Sequence, residues 1–443
     1  MKMTFFCRTL GTAALALWLV NSAGAQSTGS ISAFVKVGGC SSGFSSMGLR
    51  ADGSLWAWGD NRHGQAGDGT ISGFRLQPAQ VARPSNAAAG TTWTDFTQGN
   101  YFAMGLRSDS SLWAWGDNYG FFGDGTQVSH YTPSLVPAPT SAAPGTVWTQ
   151  VSSGSTQTLA LRSDGTLWGW GYGIIGDGTT MARILPVLIP KPNGAAAGTT
   201  WTPVSCGSNH TLALRSGGTL WGWGNNVFGQ LGHSIGQGTQ TGVPVMLVPM
   251  PPSATPGSRW VRVAAGNDHT LALRSDGSLW SWGNGYILTM SQIATPASAT
   301  AGTTWTEFAA GYIFSAALRS DGILWTWGIN SYGQLGLNNT SSYQTPQREF
   351  THSAWTHVGA GSESTLAVDL SGLVYGSGDN SQAQLGDGTT ISRLVFARSL
   401  APVLAAAPPL TAAACTMPYP NPAHGFASCP GQWLGRQFSC TTA

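Results

Sequence analysis

The sequence predicts an all-β fold, a seven-bladed β-propeller of four-stranded blades closed by its N- and C-terminal strands, and three observations predict it. The first is composition: 443 residues hold 61 glycines, 24 prolines and 20 tryptophans with only 9% charged residues, which suits many short strands joined by turns. The second is a tryptophan-marked unit that recurs about every fifty residues. The third is the alternation of large and small residues inside each unit, bounded by Asp-Gly turn signals.

At the N-terminus, Lys2 and Arg8 precede an apolar run from Leu10 to Val20, and Ala23-Gly24-Ala25 follows with the small residues a signal peptidase accepts. Residues 1–25 are therefore expected to be a signal peptide cleaved between Ala25 and Gln26, with 26–33 a short linker. The apolar run is too short for a membrane span, and no later stretch replaces it. An exported protein, secreted or periplasmic, is the expectation. The only lysines are Lys2, Lys36 and Lys191 and the net charge is +2, so no basic stripe suited to nucleic acid exists.

The unit occupies residues 34–400. Its core, L-W-x-W-G, stands at Leu55–Gly59, Leu112–Gly116, Leu167–Gly171, Leu220–Gly224, Leu279–Gly283 and Leu324–Gly328, with a degraded seventh copy at Val374–Gly378. The first aromatics of successive copies, Trp56, Trp113, Trp168, Trp221, Trp280, Trp325 and Tyr375, are 57, 55, 53, 59, 45 and 50 residues apart. Upstream of each core an alternating strand ends in arginine or, in the last copy, Asp369, followed by a turn such as Ser163-Asp164-Gly165. A further strand opens most units at Trp93, Trp148, Trp201, Trp260, Trp305 and Trp355, and a fourth lies around Pro78–Val81 and its counterparts.

Period two sends both tryptophans of L-W-x-W-G to one face and the leucine and intervening small residue to the other. A large face against a small face is what closely packed sheets need. Seven such sheets close a ring that hides most strand edges. Because the chain enters a unit at Phe34-Val35-Lys36-Val37, the late apolar segment Leu394-Val395-Phe396 is expected to complete the first blade and lock the ends together.

The unit W-x-x-V-x-x-G-x-x-H-T-L-A-L-R-x-D-G-x-L-W-x-W-G-x-N-x-x-G-Q-L-G-D-G-T, best copied at 201–232 and 305–336, resembles the regulator of chromosome condensation repeat family, here as a secreted bacterial-type member. The resemblance implies the propeller and leaves the activity open, because a fold does not carry a function. The family's founding member is a nuclear nucleotide-exchange factor that also binds chromatin, and its exchange activity depends on a β-hairpin inserted into one blade. No such insertion is visible, since the longest spacing is 59 residues. Secreted propellers similar to the family that inhibit β-lactamases by presenting one face of the ring are a nearer parallel.

Antiparallel order places the turns between first and second strands at the same end as the loops between third and fourth. That end carries Tyr101, Tyr119, Phe121, Phe228, Tyr312 and Tyr332, the residues expected to hold a protein partner, while Phe122, at the leucine position of G-Q-L-G, is open to a capping role. At the other end Arg50, Arg107, Arg162, Arg215, Arg274 and Arg319 form a ring, and in five of six cases the Asp two residues later is expected to neutralise the charge locally and form the turn.

Apparent chemistry reads as architecture. Gly232-His233-Ser234-Ile235-Gly236 matches G-x-S-x-G but lacks the strand and helix of a nucleophile elbow. His210 and His269 alternate with Phe102 and Phe314 at one repeat position, which points to packed, hydrogen-bonded side chains. The aspartates of the D-N-x-x-G-x-x-G-D-G-T loops (Asp60, Asp68, Asp117, Asp124, Asp177, Asp379 and Asp387) fit turns better than a calcium loop. No cofactor motif is present, so no cofactor and no enzyme activity are expected.

Residues 401–443 turn Ala/Pro-rich and then carry Cys415, Cys429 and Cys440, candidates for a disulfide of undetermined pairing. With Cys40 and Cys206 the exported chain has an odd number of thiols, leaving one free or paired between chains. The expected function is a secreted, monomeric, non-enzymatic propeller that binds a protein; the alternative is a guanine-nucleotide exchange effector acting on a small GTPase.

Overall fold

The computed structural model describes residues 32–400 apart from 72, 233–239, 249–254, 284–286 and 353, with backbone alone at 240–247 and 287–289. The expected signal peptide with its Ala25–Gln26 cleavage, Ser234, and the candidate disulfide Cys415, Cys429 and Cys440 lie outside the described residues. Twenty-eight strands form seven antiparallel four-stranded sheets, with no helix among the described residues. The blades span 34–80, 93–136, 148–188, 201–247, 260–292, 305–348 and 355–398, and in each the strands pair in chain order. The sequence expectation of seven four-stranded blades is met.

In the first blade the strands are Phe34–Gly39, Ser45–Arg50, Leu55–Asp60 and Phe74–Gln80. First strands line a central cavity of about 170 Å³ bordered by Gly39, Gln98, Ser153, Cys206, Ala265 and Ala310. Cys40 and Cys206 are both buried free thiols there, and burial pushes the Cys206 thiol up to about 12.

The core lies between blades. Trp201, Val204, Trp221 and Trp223 of the fourth blade pack on Leu159, Leu167 and Ile189 of the third, the large face on the small face that the alternation predicts. Within a blade the ring of Trp93 lies 5.7 Å from Trp115 and that of Trp148 lies 6.0 Å from Trp170. The last residue of L-W-x-W-G must be glycine because the backbone turns left-handed there, with φ of 105° at Gly116 and 103° at Gly378. A Cβ at Gly116 would stand 2.4 Å from the carbonyl oxygen of Tyr101.

One expectation is corrected. Leu394-Val395-Phe396 lie in strand Arg393–Arg398, which pairs with Val374–Gly378 of its own seventh blade, so no strand is exchanged between the ends. Both terminal blades are already complete, and the ring closes by the packing that joins neighbouring blades. Phe34, Trp56 and Trp58 bury against Leu366, Val368 and Val374. Trp58 Nε1 donates to the Gln384 carbonyl at 2.9 Å, and Phe34 N donates to that of Gly372 at 3.0 Å.

Candidate functional site: an aromatic ridge on the loop face

The arginine end of the propeller is largely structural. A bulge in each first strand sets its opening aromatic opposite the last residue of the second strand, as in Trp93 opposite Arg107 and Trp201 opposite Arg215. The guanidinium then stacks on the ring, at 4.9 Å for Arg107, Arg162, Arg215 and Arg319. Except at Arg50, whose Nε is buried without a partner, each Nε donates to a hydroxyl sixteen residues upstream, for example Arg162 to Thr146 at 2.8 Å. The side chains are buried, and burial pulls the guanidinium pKa of Arg50, Arg107, Arg162, Arg215 and Arg319 down.

Of the turn formation and neutralisation expected of the aspartates, the turns form, while close ion pairing is confined to one site. Arg274 alone among the six forms an ion pair with its aspartate, Asp276, at 3.8 Å among the described residues. The other aspartates brace the turn: Asp164 Oδ1 accepts from Thr166 N at 3.0 Å and from Thr166 Oγ1 at 2.6 Å, and Trp168 Nε1 donates to that same hydroxyl at 2.9 Å. The Asp-Gly-Thr loops behave likewise, with Asp387 accepting from Thr389 N and Oγ1 and pairing with Arg393. Burial alone would raise the Asp387 pKa, but those donors hold it below the ordinary carboxylate value.

His210 and His269 are buried, and their Nε2 atoms meet the hydroxyls of Thr270 at 3.2 Å and Ser315 at 2.9 Å in the next blade. Burial drives their pKa to about 3 and about 4, so both are neutral structural residues. Among the described residues no three His, Cys, Asp or Glu side chains converge as metal ligands.

The opposite, loop-rich end gathers aromatic side chains. Tyr101, from the first turn of the second blade, stacks edge-on with Tyr119 from the long loop of that blade at 6.4 Å. Tyr119 meets Phe121 at 5.8 Å, and Phe121 meets Tyr172 of the third blade at 5.7 Å. On the other flank His63 of the first blade contacts Tyr101 at 4.7 Å, and its Nδ1 lies 2.7 Å from Asp117 Oδ2. The rings form a continuous ridge across three blades, with Tyr101, Tyr119 and Tyr172 exposed at 38, 54 and 38%.

Phe121 differs from its expected role as a contact. Only 5% exposed and stacked on Phe102 at 5.2 Å, it props the tyrosines from beneath, while its carbonyl accepts from Trp170 Nε1 at 2.8 Å. Phe122 is fully buried and caps the blade. Phe228, Tyr312 and Tyr332 are exposed at 41, 39 and 44% at the same end, without a ring contact to the ridge among the described residues. His63 escaped the sequence reading, yet the alignment of copies held the signal: it precedes Gly64 as Tyr119 precedes Gly120, Phe228 precedes Gly229 and Tyr332 precedes Gly333.

The repeat that carries this geometry is one already described. The regulator of chromosome condensation (RCC1) repeat matches residues 52–106, 109–161, 164–214, 217–273 and 321–368, more than half of the chain, and a second description of the same repeat matches 37–65, 203–230 and 305–334. The chain belongs to the RCC1 repeat family. Among curated relatives it is 30% identical to the human E3 ubiquitin-protein ligase HERC2 over 258 residues, 56% of this chain and 5% of HERC2. It is also 30% identical to the Arabidopsis thaliana ultraviolet-B receptor UVR8 over 232 residues, 52% of this chain and 48% of UVR8. This RCC1-repeat chain thus spans about half, or much less, of the length of those relatives, which are eukaryotic. Among solved structures, Saccharomyces cerevisiae Prp20p, described with its binding to Gsp1p and histones, superposes with a TM-score of 0.66 at 21% identity, covering 80% of this chain and 87% of Prp20p. Human WBSCR16 gives 0.66 at 18% identity over 79% and 94% of the two chains. These likenesses show the fold, an RCC1-like propeller.

Proposed function

We propose that this RCC1-repeat propeller is a non-enzymatic, monomeric binding module, exported by residues 1–25, that holds a protein partner against the ridge of Tyr101, Tyr119 and Tyr172. The observation that carries the reading is exposure combined with rigidity: the tyrosines stand out by 38–54% while ring contacts to His63 and the buried Phe121 fix them. Tyrosines held this way offer large amphipathic area and lose little conformational entropy on binding, which is the character of interface anchors. A slot for a substrate with convergent acid and base groups is not what these rings make; they project rather than enclose.

The test compares wild type with a Tyr101→Ala/Tyr119→Ala/Tyr172→Ala variant and with a Phe228→Ala/Tyr312→Ala/Tyr332→Ala variant, using proteins that copurify with the mature chain from secreted material and their measured affinities. The ridge variant is expected to weaken the partner at least tenfold with an unchanged circular dichroism spectrum, and the second variant to have a smaller effect. Equal affinity for wild type and the ridge variant would sink the reading. Nucleotide release from a panel of small GTPases is expected to be unaffected by the wild-type chain, and acceleration would favour exchange activity instead.

A further inference from the structure

At five junctions between blades, the loop after the third strand reaches under the next blade and offers it a backbone carbonyl. Gln65, Phe121, Gln230 and Gln384 accept from the indoles of Trp115, Trp170, Trp282 and Trp58 at 2.8–2.9 Å. Gln334 accepts instead from Thr365 and Ser377 at 2.6 and 3.3 Å. Hydroxyls of the second strand share two of the indole-bound carbonyls, Ser46 donating to Gln384 and Thr270 to Gln230 at 2.8 and 2.9 Å. The next residue of each loop buries an apolar side chain: Ala66, Phe122, Leu231, Leu335 and Leu385 are 0–2% exposed. At the third-to-fourth junction Ile175 and Gly176 fill the same space, although Trp223 Nε1 there finds no acceptor.

The fifth blade lacks this loop, since only three residues separate its third strand, ending at Gly283, from its fourth, beginning at Ile287. The shortfall is the spacing of 45 residues between Trp280 and Trp325. In place of the loop the structure has a cavity of about 570 Å³, lined by Ser281 and Gly283 of the fifth blade and Phe314, Ser315, Trp327 and Tyr343 of the sixth. Its mouth, at Ser342, Gln344 and Thr345, is exposed.

Two donors converge on this space. Trp327 makes no indole hydrogen bond among the described residues, and Ser315 holds the position that Thr270 and Ser46 hold elsewhere. At the neighbouring junction Thr270 gives its proton to Gln230, so His210 Nε2 must be the donor to Thr270. The same tautomer at His269, whose Nε2 lies 2.9 Å from Ser315 Oγ, leaves the Ser315 proton for an occupant.

We propose that this junction is a binding site for a loop of another polypeptide with Gly-Gln-Leu-Gly chemistry, its backbone carbonyl received by Ser315 and Trp327 and its leucine-sized side chain lying between Ser281 and Phe314. The occupant is specified by what fills the equivalent space at the other junctions, and the site is independent of the aromatic ridge. The probe is acetyl-Tyr-Gly-Gln-Leu-Gly-amide, titrated into the mature chain labelled with ¹⁵N-tryptophan, with the Trp327 indole resonance assigned by its loss in Trp327→Phe.

A saturable shift of that resonance is expected, weakened about fivefold by Ser315→Ala, as one hydrogen bond implies, and at least tenfold when serine replaces leucine in the peptide. Replacing residues 284–286 by the chain's own 329–342 should close the site and abolish the shift. The Tyr101→Ala/Tyr119→Ala/Tyr172→Ala variant should bind the peptide as wild type does, which separates this test from that of the ridge. No Trp327 shift, equal binding of the serine peptide, or undiminished binding after the loop graft would each overturn the proposal.

Discussion

The hairpin turn of the sixth blade lacks a hydroxyl that five others have, and restoring it should stabilise the propeller. Trp56, Trp113, Trp168, Trp221 and Trp280 each donate Nε1 to a Ser or Thr two residues earlier at 2.7–3.0 Å. Four of those hydroxyls, Ser54, Ser111, Thr166 and Ser278, donate in turn to the turn aspartate at 2.5–2.6 Å. In the sixth blade Ile323 occupies the hydroxyl position, and both Trp325 Nε1 and Asp321 Oδ2 are buried without a partner. Ile323→Thr supplies a hydroxyl that accepts from the Trp325 indole and donates to Asp321 Oδ1, the oxygen that takes this bond in the other turns.

Relieving the indole and adding a bond to a carboxylate is worth about 2–3 kcal/mol. Against this, Ile323 is only partly buried against the core around Trp305 and Trp325, so trimming it costs about 1 kcal/mol. The net expectation is a gain of about 1–2 kcal/mol. Ile323→Val is the control, because valine has the shape of threonine without the oxygen, and it should lose about 0.5–1 kcal/mol. Urea unfolding followed by tryptophan fluorescence reads the difference, and the Trp325 indole proton should gain protection from exchange in the threonine variant alone. A threonine variant no more stable than the valine variant would show that the missing hydroxyl does not weaken this turn.

Acid should weaken the fold through its buried histidines. With folded values near 3 and 4 against an ordinary 6.5, the unfolded chain binds protons that the folded chain refuses, so stability is full above pH 6.5 and falls as pH drops toward 4. His210→Phe, the residue type that Phe102 and Phe314 supply at this position, should flatten that fall, as acid titration of the unfolding midpoint would show. Gly116→Ala should cost more than about 2 kcal/mol in chemical unfolding, because its φ is 105° and a Cβ would meet the Tyr101 carbonyl. Arg162→Lys should cost about 1–2 kcal/mol despite keeping the charge, since an ammonium cannot both lie flat on Trp148 and reach Thr146; a change within 0.5 kcal/mol would count against the stack.

Blade number, hairpin positions and the division into large and small sheet faces were legible in the sequence, because period-two alternation and Asp-Gly turns are local properties that seven copies repeat. What the copies do to one another was not. The arginines looked paired with aspartates two residues away, but a bulge carries each beside the aromatic that opens its blade, and the low-dielectric interior favours the stack. Closure looked like strand exchange, but the packing of first blade on seventh already fills the seam. Tyr101, Tyr119, Tyr172 and His63 come from three blades, and only the angle between blades turns them into one ridge. The short spacing in the fifth blade was plain in the sequence, yet its effect falls on Trp327 in the sixth, because a loop in this fold is the neighbour's packing partner before it is its own blade's.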